Sequence, residues 1–149
     1  MTVKSRGVIV VAMAVVLAAG VAVSAQNDKY SARLGWVPTS GAADRANVTG
    51  KGTATATLQG TKLNVTGTFE GLAAPATIAR VHHGVARGAR GPAIGDLVIS
   101  KGTSGTISGG VALDAEQLES LKQGRLYVQI HSEKGVAPDG SNLWGWFLR

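Results

Sequence analysis

Residues 52–72 read GTATATLQGTKLNVTGTFEGL. Ala54, Ala56 and Leu58 share one parity, and Thr53, Thr55 and Thr57 share the other. After Gln59-Gly60 the alternation resumes, with Leu63, Val65 and Phe69 set against Asn64, Thr66 and Thr68. Successive side chains of a strand point to opposite faces, so this period of two predicts two strands, each with one dry and one wet face. The short break at Gln59-Gly60 predicts a hairpin turn between them.

The same rhythm extends outward from the hairpin. Tyr30 to Trp36 reads as an opening strand, and residues 37–50 (VPTSGAADRANVTG) as a loop rich in turn formers. Ala76 to His83, Ala93 to Ser100, Thr106 to Leu113, Arg125 to His131 and Asn142 to Leu148 continue the strand pattern. Residues 84–92 (GVARGARGP) form a basic, glycine-rich loop, and 132–141 a turn-rich one. One helix is predicted at about 114–123. Asp114 supplies its N-cap, Gln117 completes a capping box, Leu118 and Leu121 form the buried stripe, and Gly124 ends it. Eight or so strands joined by short connections predict an all-β, antiparallel, Greek-key-like β-sandwich.

The first 25 residues differ in kind. Lys4 and Arg6 precede an apolar run from Gly7 to Val23, and Val23, Ser24 and Ala25 present small residues. That layout predicts a secretory signal peptide over 1–25, cleaved between Ala25 and Gln26, and a single domain over 26–149. The apolar run is about 17 residues, at the lower limit for a membrane span. The polar stretch that follows it, QNDK, favours cleavage over a retained span. The protein is thus expected in the periplasm or outside the cell.

Loss of Lys4 and Arg6, with no acidic residue lost, lowers the formal charge from +6 to +4. No Lys/Arg-rich run or basic strand interleaved with aromatics is present, which argues against nucleic acid as a partner. The chain has no cysteine, which excludes thiol catalysis, disulfide exchange and thiolate metal sites. Asn-x-Thr sequons occur at Asn47 and Asn64 and matter only in a eukaryotic secretory pathway.

Three histidines are the first residues of chemical interest: His82, His83 and His131. In ATIARVHHG (76–84), Ala79 and Val81 share the core face while Arg80 and His82 take the other. His83 follows Ala79 and Val81. In GRLYVQIHS (124–132), Leu126, Val128 and Ile130 point inward while Tyr127, Gln129 and His131 point away. If these strands are neighbours, His82 and His131 could meet and hold copper or zinc. Two other roles stand beside that one. The imidazoles can simply bond to backbone or loop, or they can join Arg80, Arg87 and Arg90 in taking an anion or small ligand.

The last strand, GSNLWGWFL (140–148), sets Leu143, Gly145 and Phe147 against Trp144 and Trp146. Two neighbouring tryptophans on an outer face mark a contact with protein, sugar or lipid, unless a helix or loop covers them. Enzyme templates are missing. There is no G-x-S-x-G elbow, phosphate loop or H-E-x-x-H, and Asp96, Asp114 and Asp139 are scattered among turns and a cap.

These motifs, in this order, resemble the CHRD domain, a family named from chordin: Val37-Pro38, the threonine–alanine hairpin, PATIARVHHG, a glycine-rich loop ending in GP, a helix before GRLYVQIH, and a closing strand after a PDG turn. The resemblance spans about residues 30–148. His82 matches the second histidine of the family's A-H-I-H element, and His131 that of Y-V-x-I-H. Arg80 stands in place of the first histidine. In the family's closing G-E-I-R-G-x, Asn142 takes the acidic place, Trp144 the arginine place and Trp146 the variable one. The His-x-His strand is similar to that of copper/zinc superoxide dismutases. Dismutase activity would need more histidines than the three present.

The expected function is a non-enzymatic binding or structural module. Its partner would be a protein or small ligand, or a second copy of the chain, met through Arg80, Tyr127, Gln129, Trp144 and Trp146. The alternative is a periplasmic copper- or zinc-binding protein using His82 and His131, and an enzyme is the third reading.

Overall fold

The computed structural model describes residues 27–149. The expected signal peptide and its Ala25–Gln26 cleavage point lie outside the described residues. In chain order the elements are β1 (Asp28–Trp36), α1 (Ala42–Asn47), β2 (Lys51–Gln59), β3 (Lys62–Glu70), β4 (Ala76–His83), β5 (Ala93–Ile99), β6 (Gly105–Ala112), α2 (Ala115–Lys122), β7 (Leu126–Val136) and β8 (Ser141–Trp146).

The hairpin forms as its pattern dictates. β2 and β3 pair antiparallel from Lys51↔Glu70 to Gln59↔Lys62. Gly60 opens the two-residue turn at φ +61°, the positive φ that a hairpin turn beginning with glycine requires. Ala54, Ala56, Leu63, Val65 and Phe69 are buried, while their threonine neighbours at 53, 55, 66 and 68 face solvent. α2 carries the expected capping box. The Gln117 amide donates to Asp114 Oδ1 at 2.8 Å, and the Asp114 amide to Gln117 Oε1 at 3.1 Å.

The strands close on themselves in the order β1-β2-β3-β6-β5-β4-β7-β8. All described pairs are antiparallel, and β6 returns to lie beside β3, a Greek-key connection. The architecture is therefore a barrel, and the expected two-sheet sandwich is corrected on that point. The physical reason lies at two corners, where a strand changes partner. β1 pairs with β2 from Asp28 to Leu34, then with β8 through Gly35 and Trp36. β5 pairs with β4 through Ala93 to Leu97, then with β6 through Val98 and Ile99. Gly145 of β8 permits the first corner, because a Cβ there would lie 2.6 Å from the Arg33 carbonyl oxygen and 2.8 Å from Leu34 Cδ2.

The interior is filled by side chains from every strand, among them Tyr30, Leu63, Val65, Ala79, Val81, Ile107, Leu126, Val128, Ile130, Leu143 and Phe147. Two further corrections concern the loops. Residues 37–50 contain α1, six residues without a side-chain N-cap. Its last carbonyl, on Asn47, accepts from the buried Asn142 side chain at 3.2 Å. β7 also runs on to Val136, past the expected end at His131. Among the described residues no helix is long and apolar enough to cross a membrane.

Candidate functional site

Strand pairing sets nine side chains in a grid on the outer face of β4, β7 and β8. His82 lies opposite Tyr127, and Tyr127 opposite Trp146. Arg80 lies opposite Gln129, and Gln129 opposite Trp144. Ile78 lies opposite His131, and His131 opposite Ser141 across a register shift. The expected parity holds throughout, since Ala79, Val81, Leu126, Val128 and Ile130 all face the core.

An outward face would ordinarily be wet, yet the β7 members of the grid are buried. Tyr127 is 1 % exposed, Gln129 2 % and His131 5 %. Two loops cause this. The basic loop of residues 84–92 folds over one end of the grid. Its Gly91 carbonyl accepts from His82 Nδ1 at 2.9 Å, and its Gly91 amide donates to the Tyr127 hydroxyl at 3.1 Å. The loop between β7 and β8 covers the other end, where His131 Nδ1 donates to the Asp139 carbonyl at 2.9 Å.

A polar network links these ends. The Gln129 amide donates to His131 Nε2 at 3.0 Å and to Ser141 Oγ at 3.1 Å. The Ser141 hydroxyl donates to Asp139 Oδ1 at 2.5 Å, and Arg90 Nη1 donates to Ser141 Oγ at 3.2 Å. Two acceptors in this floor have no partner among the described residues: His82 Nε2 and Gln129 Oε1, both buried. An unpaired buried polar atom carries its full desolvation cost, so both atoms invite a donor.

Aromatic rings form the rest of the surface. His82 stacks on Tyr127 with centroids 4.9 Å apart, and Tyr127 meets Trp146 at 4.4 Å. Trp144 and Trp146 stand edge to face at 5.8 Å, and both are half-buried. The Arg90 guanidinium lies over Trp144, 5.9 Å from the ring centre. Loop and tryptophan pair thus share the face. At Gly84 a Cβ would lie 2.8 Å from the Trp146 ring.

Burial holds the His82 imidazole below its usual pKa. Its bond to Gly91 and the Asp139 carboxylate oppose that shift, while His131 and Arg80 reinforce it. Burial alone would raise the Asp139 pKa, but the Ser141 hydroxyl and amide outweigh it, and His131 and Arg90 pull further down. The signs agree. For both groups the unfolded chain takes up a proton more readily than the folded one, so acid favours unfolding. Stability is therefore expected to fall as pH drops below about 6.5, the ordinary histidine value, and again below about 3.8, where Asp139 ordinarily titrates. Urea midpoints measured across pH check this. His82→Gln should flatten the first decline and leave the second. A midpoint independent of pH down to 4 would contradict the account.

The site residues expected from sequence fall as follows. Tyr127, Gln129, His131, Trp144 and Trp146 come together. Arg80 is drawn to the rim, where it pairs with Asp96 at 2.7 Å. The strands of His82 and His131 are neighbours and both side chains take the outer face, but their register separates them by about four residues, some 13 Å along a strand. Gln129 lies between them, and both nitrogens of His131 are already bonded. Among the described residues no group of three His, Cys, Asp or Glu is placed to hold a metal ion. The residues as arranged do not fit a copper or zinc centre. His83, on the inward parity, shares a hydrogen bond with Ser120 of α2 at 2.8 Å.

Gly91, Asp139 and Ser141 were not marked as site residues by the sequence. The Pro138-Asp139-Gly140-Ser141 turn was visible as a turn, and its carboxylate's role was not.

The CHRD domain family model matches residues 37–140. No curated protein and no solved structure matches the chain. The matched residues run from the loop after β1 to the turn before β8, so the strand carrying Trp144 and Trp146 lies just beyond them.

Proposed function

This chain belongs to the CHRD domain family, and on that footing we propose that it works as an exported, non-enzymatic binding module. Its contact surface is the outer face of β4, β7 and β8. One observation carries the reading: two half-exposed tryptophans and a basic loop stand over a buried polar floor that keeps two unpaired acceptors. A surface needed only for packing would gain by pairing or removing those atoms. Aromatic rings beside an arginine are the side chains that dominate binding energy at interfaces. Export rests on the N-terminal sequence, with its basic start, apolar run and small-residue end.

The test is retention of the purified protein on envelope material from the producing cell. Trp144→Ala/Trp146→Ala should lower retention about tenfold, a loss of about 1.4 kcal/mol. Trp36→Ala should leave it unchanged, because Trp36 is 65 % exposed and lies off this face. Equal retention of the double variant and the wild type would remove the proposal.

A further inference from the structure

Three chemical demands meet on the outer face. The first comes from the floor, where Gln129 Oε1 and His82 Nε2 are buried lone-pair acceptors without a donor among the described residues. The occupant must bring hydroxyl or amine hydrogens. The second comes from the rings. Trp144 and Trp146 stand half-exposed with their rings inclined at 65°, and the Trp144 ring offers a flat apolar face. The third is charge. The loop of residues 84–92 carries Arg87 and Arg90 and no acidic residue. Among the described residues neither arginine has a carboxylate within salt-bridge distance, whereas Arg80 on the rim is already neutralised by Asp96. Arg90 instead rests on Trp144 and on Ser141 Oγ. It is an exposed cation already beside the Trp144 ring.

We propose, resting on the binding-module reading above, that this face takes a carboxylated saccharide. A pyranose ring presents an apolar C–H face for Trp144, ring hydroxyls that donate to Gln129 Oε1 and His82 Nε2, and a carboxylate for Arg90. Arg90 swings from the Trp144 ring as the sugar takes its place, keeps its charge beside the ligand, and exposes the floor. A neutral sugar leaves Arg87 and Arg90 unanswered. An acidic peptide answers the charge but brings neither a flat apolar face nor a row of hydroxyl donors. Asp139 meets Arg90 through Ser141 Oγ, to which Arg90 donates at 3.2 Å and which donates to Asp139 Oδ1 at 2.5 Å, so the ligand's carboxylate must reach Arg90 from the Trp144 side, away from Asp139.

The experiment is calorimetric titration of the purified protein with short oligogalacturonates and alginate oligomers, against maltohexaose and poly-glutamate. Carboxylated saccharides should bind, and binding should weaken with added salt. Maltohexaose should bind at least tenfold more weakly, and poly-glutamate should not bind measurably. Arg90→Gln and Trp144→Ala should each lower affinity tenfold or more, whereas Trp144→Phe should restore most of the loss. Gln129→Leu should lower affinity; it also removes the donor to His131 Nε2 and Ser141 Oγ, so its urea midpoint should fall and its affinity is compared where the variant is fully folded. Lys62→Gln, an exposed charge on β3, should change nothing. Poly-glutamate binding as well as the oligosaccharides, or unchanged affinity in Arg90→Gln, would overturn the proposal. So would an absence of binding by every carboxylated saccharide. If retention on envelope material still depends on the tryptophans in that case, the binding-module reading survives and only the saccharide assignment falls.

Discussion

Gly91→Ala is expected to cost about 2–4 kcal/mol and to detach the basic loop from the face it covers. The argument is steric. A Cβ at Gly91 would overlap the His83 carbonyl and lie 2.9 Å from the Gly84 Cα, and both are backbone atoms that no side-chain rotation can move. The loop must then shift. With it go the bond from His82 Nδ1 to the Gly91 carbonyl, the bond from the Gly91 amide to Tyr127, and the bond from the His83 amide to the Pro92 carbonyl. Urea denaturation reads the stability loss. Tyr127 and His82 should also become reachable by solvent, which hydrogen exchange at Gly91 and its neighbours reads separately. Gly35→Ala is the control, since nothing lies within 4 Å of a Cβ there. If the two substitutions cost the same, Gly91 does not anchor the loop.

The second large effect belongs to the middle of β7. Ile130 is fully buried, flanked by Ala79 of β4 and Leu143 of β8. Ile130→Ala is expected to destabilise the fold by about 2–5 kcal/mol, through lost transfer energy and the cavity left behind. Val98→Ala makes the comparison, because Val98 is 74 % exposed on β5. Its cost should stay within about 0.5 kcal/mol. Equal costs at the two positions would mean that the barrel interior is not the core described above.

β7 also shows what could be read in advance and what could not. Its inner face, Leu126, Val128 and Ile130, follows from the period of two alone. So do the inner faces of β2, where threonine alternates with Ala54, Ala56 and Leu58, and of β3, where Leu63, Val65 and Phe69 alternate with Asn64, Thr66 and Thr68. The capping box at Asp114 and Gln117 is legible because both partners lie within four residues of sequence. Burial of Tyr127, Gln129 and His131 is not legible. It is imposed by the loop of residues 84–92, distant in sequence, and by the turn that follows β7 itself, and nothing in strand parity says whether an outward side chain meets water or a loop.

Register is hidden in the same way. The sequence puts His82 and His131 on one face, but only the pairing of Ile78 with His131 reveals the offset that keeps the imidazoles apart. Barrel closure depends on β1 and β5 exchanging partners partway along, a choice made by strand twist and by the small residue at Gly145. α1 escaped notice because six residues without a capping side chain carry too little periodicity to be distinguished from a loop.

The three tryptophans allow the most direct test of the account. Their indole N–H groups give one resonance each in a protein labelled with nitrogen-15 tryptophan. Trp144 and Trp146 lie on the proposed contact face, and Trp36, whose indole donates to the Gly50 carbonyl at 2.8 Å, lies away from it. Titration with envelope-derived polysaccharide should shift the Trp144 and Trp146 signals progressively and leave Trp36 in place. A ligand that shifts Trp36 and leaves Trp144 and Trp146 unmoved would show that binding occurs elsewhere and would contradict the account.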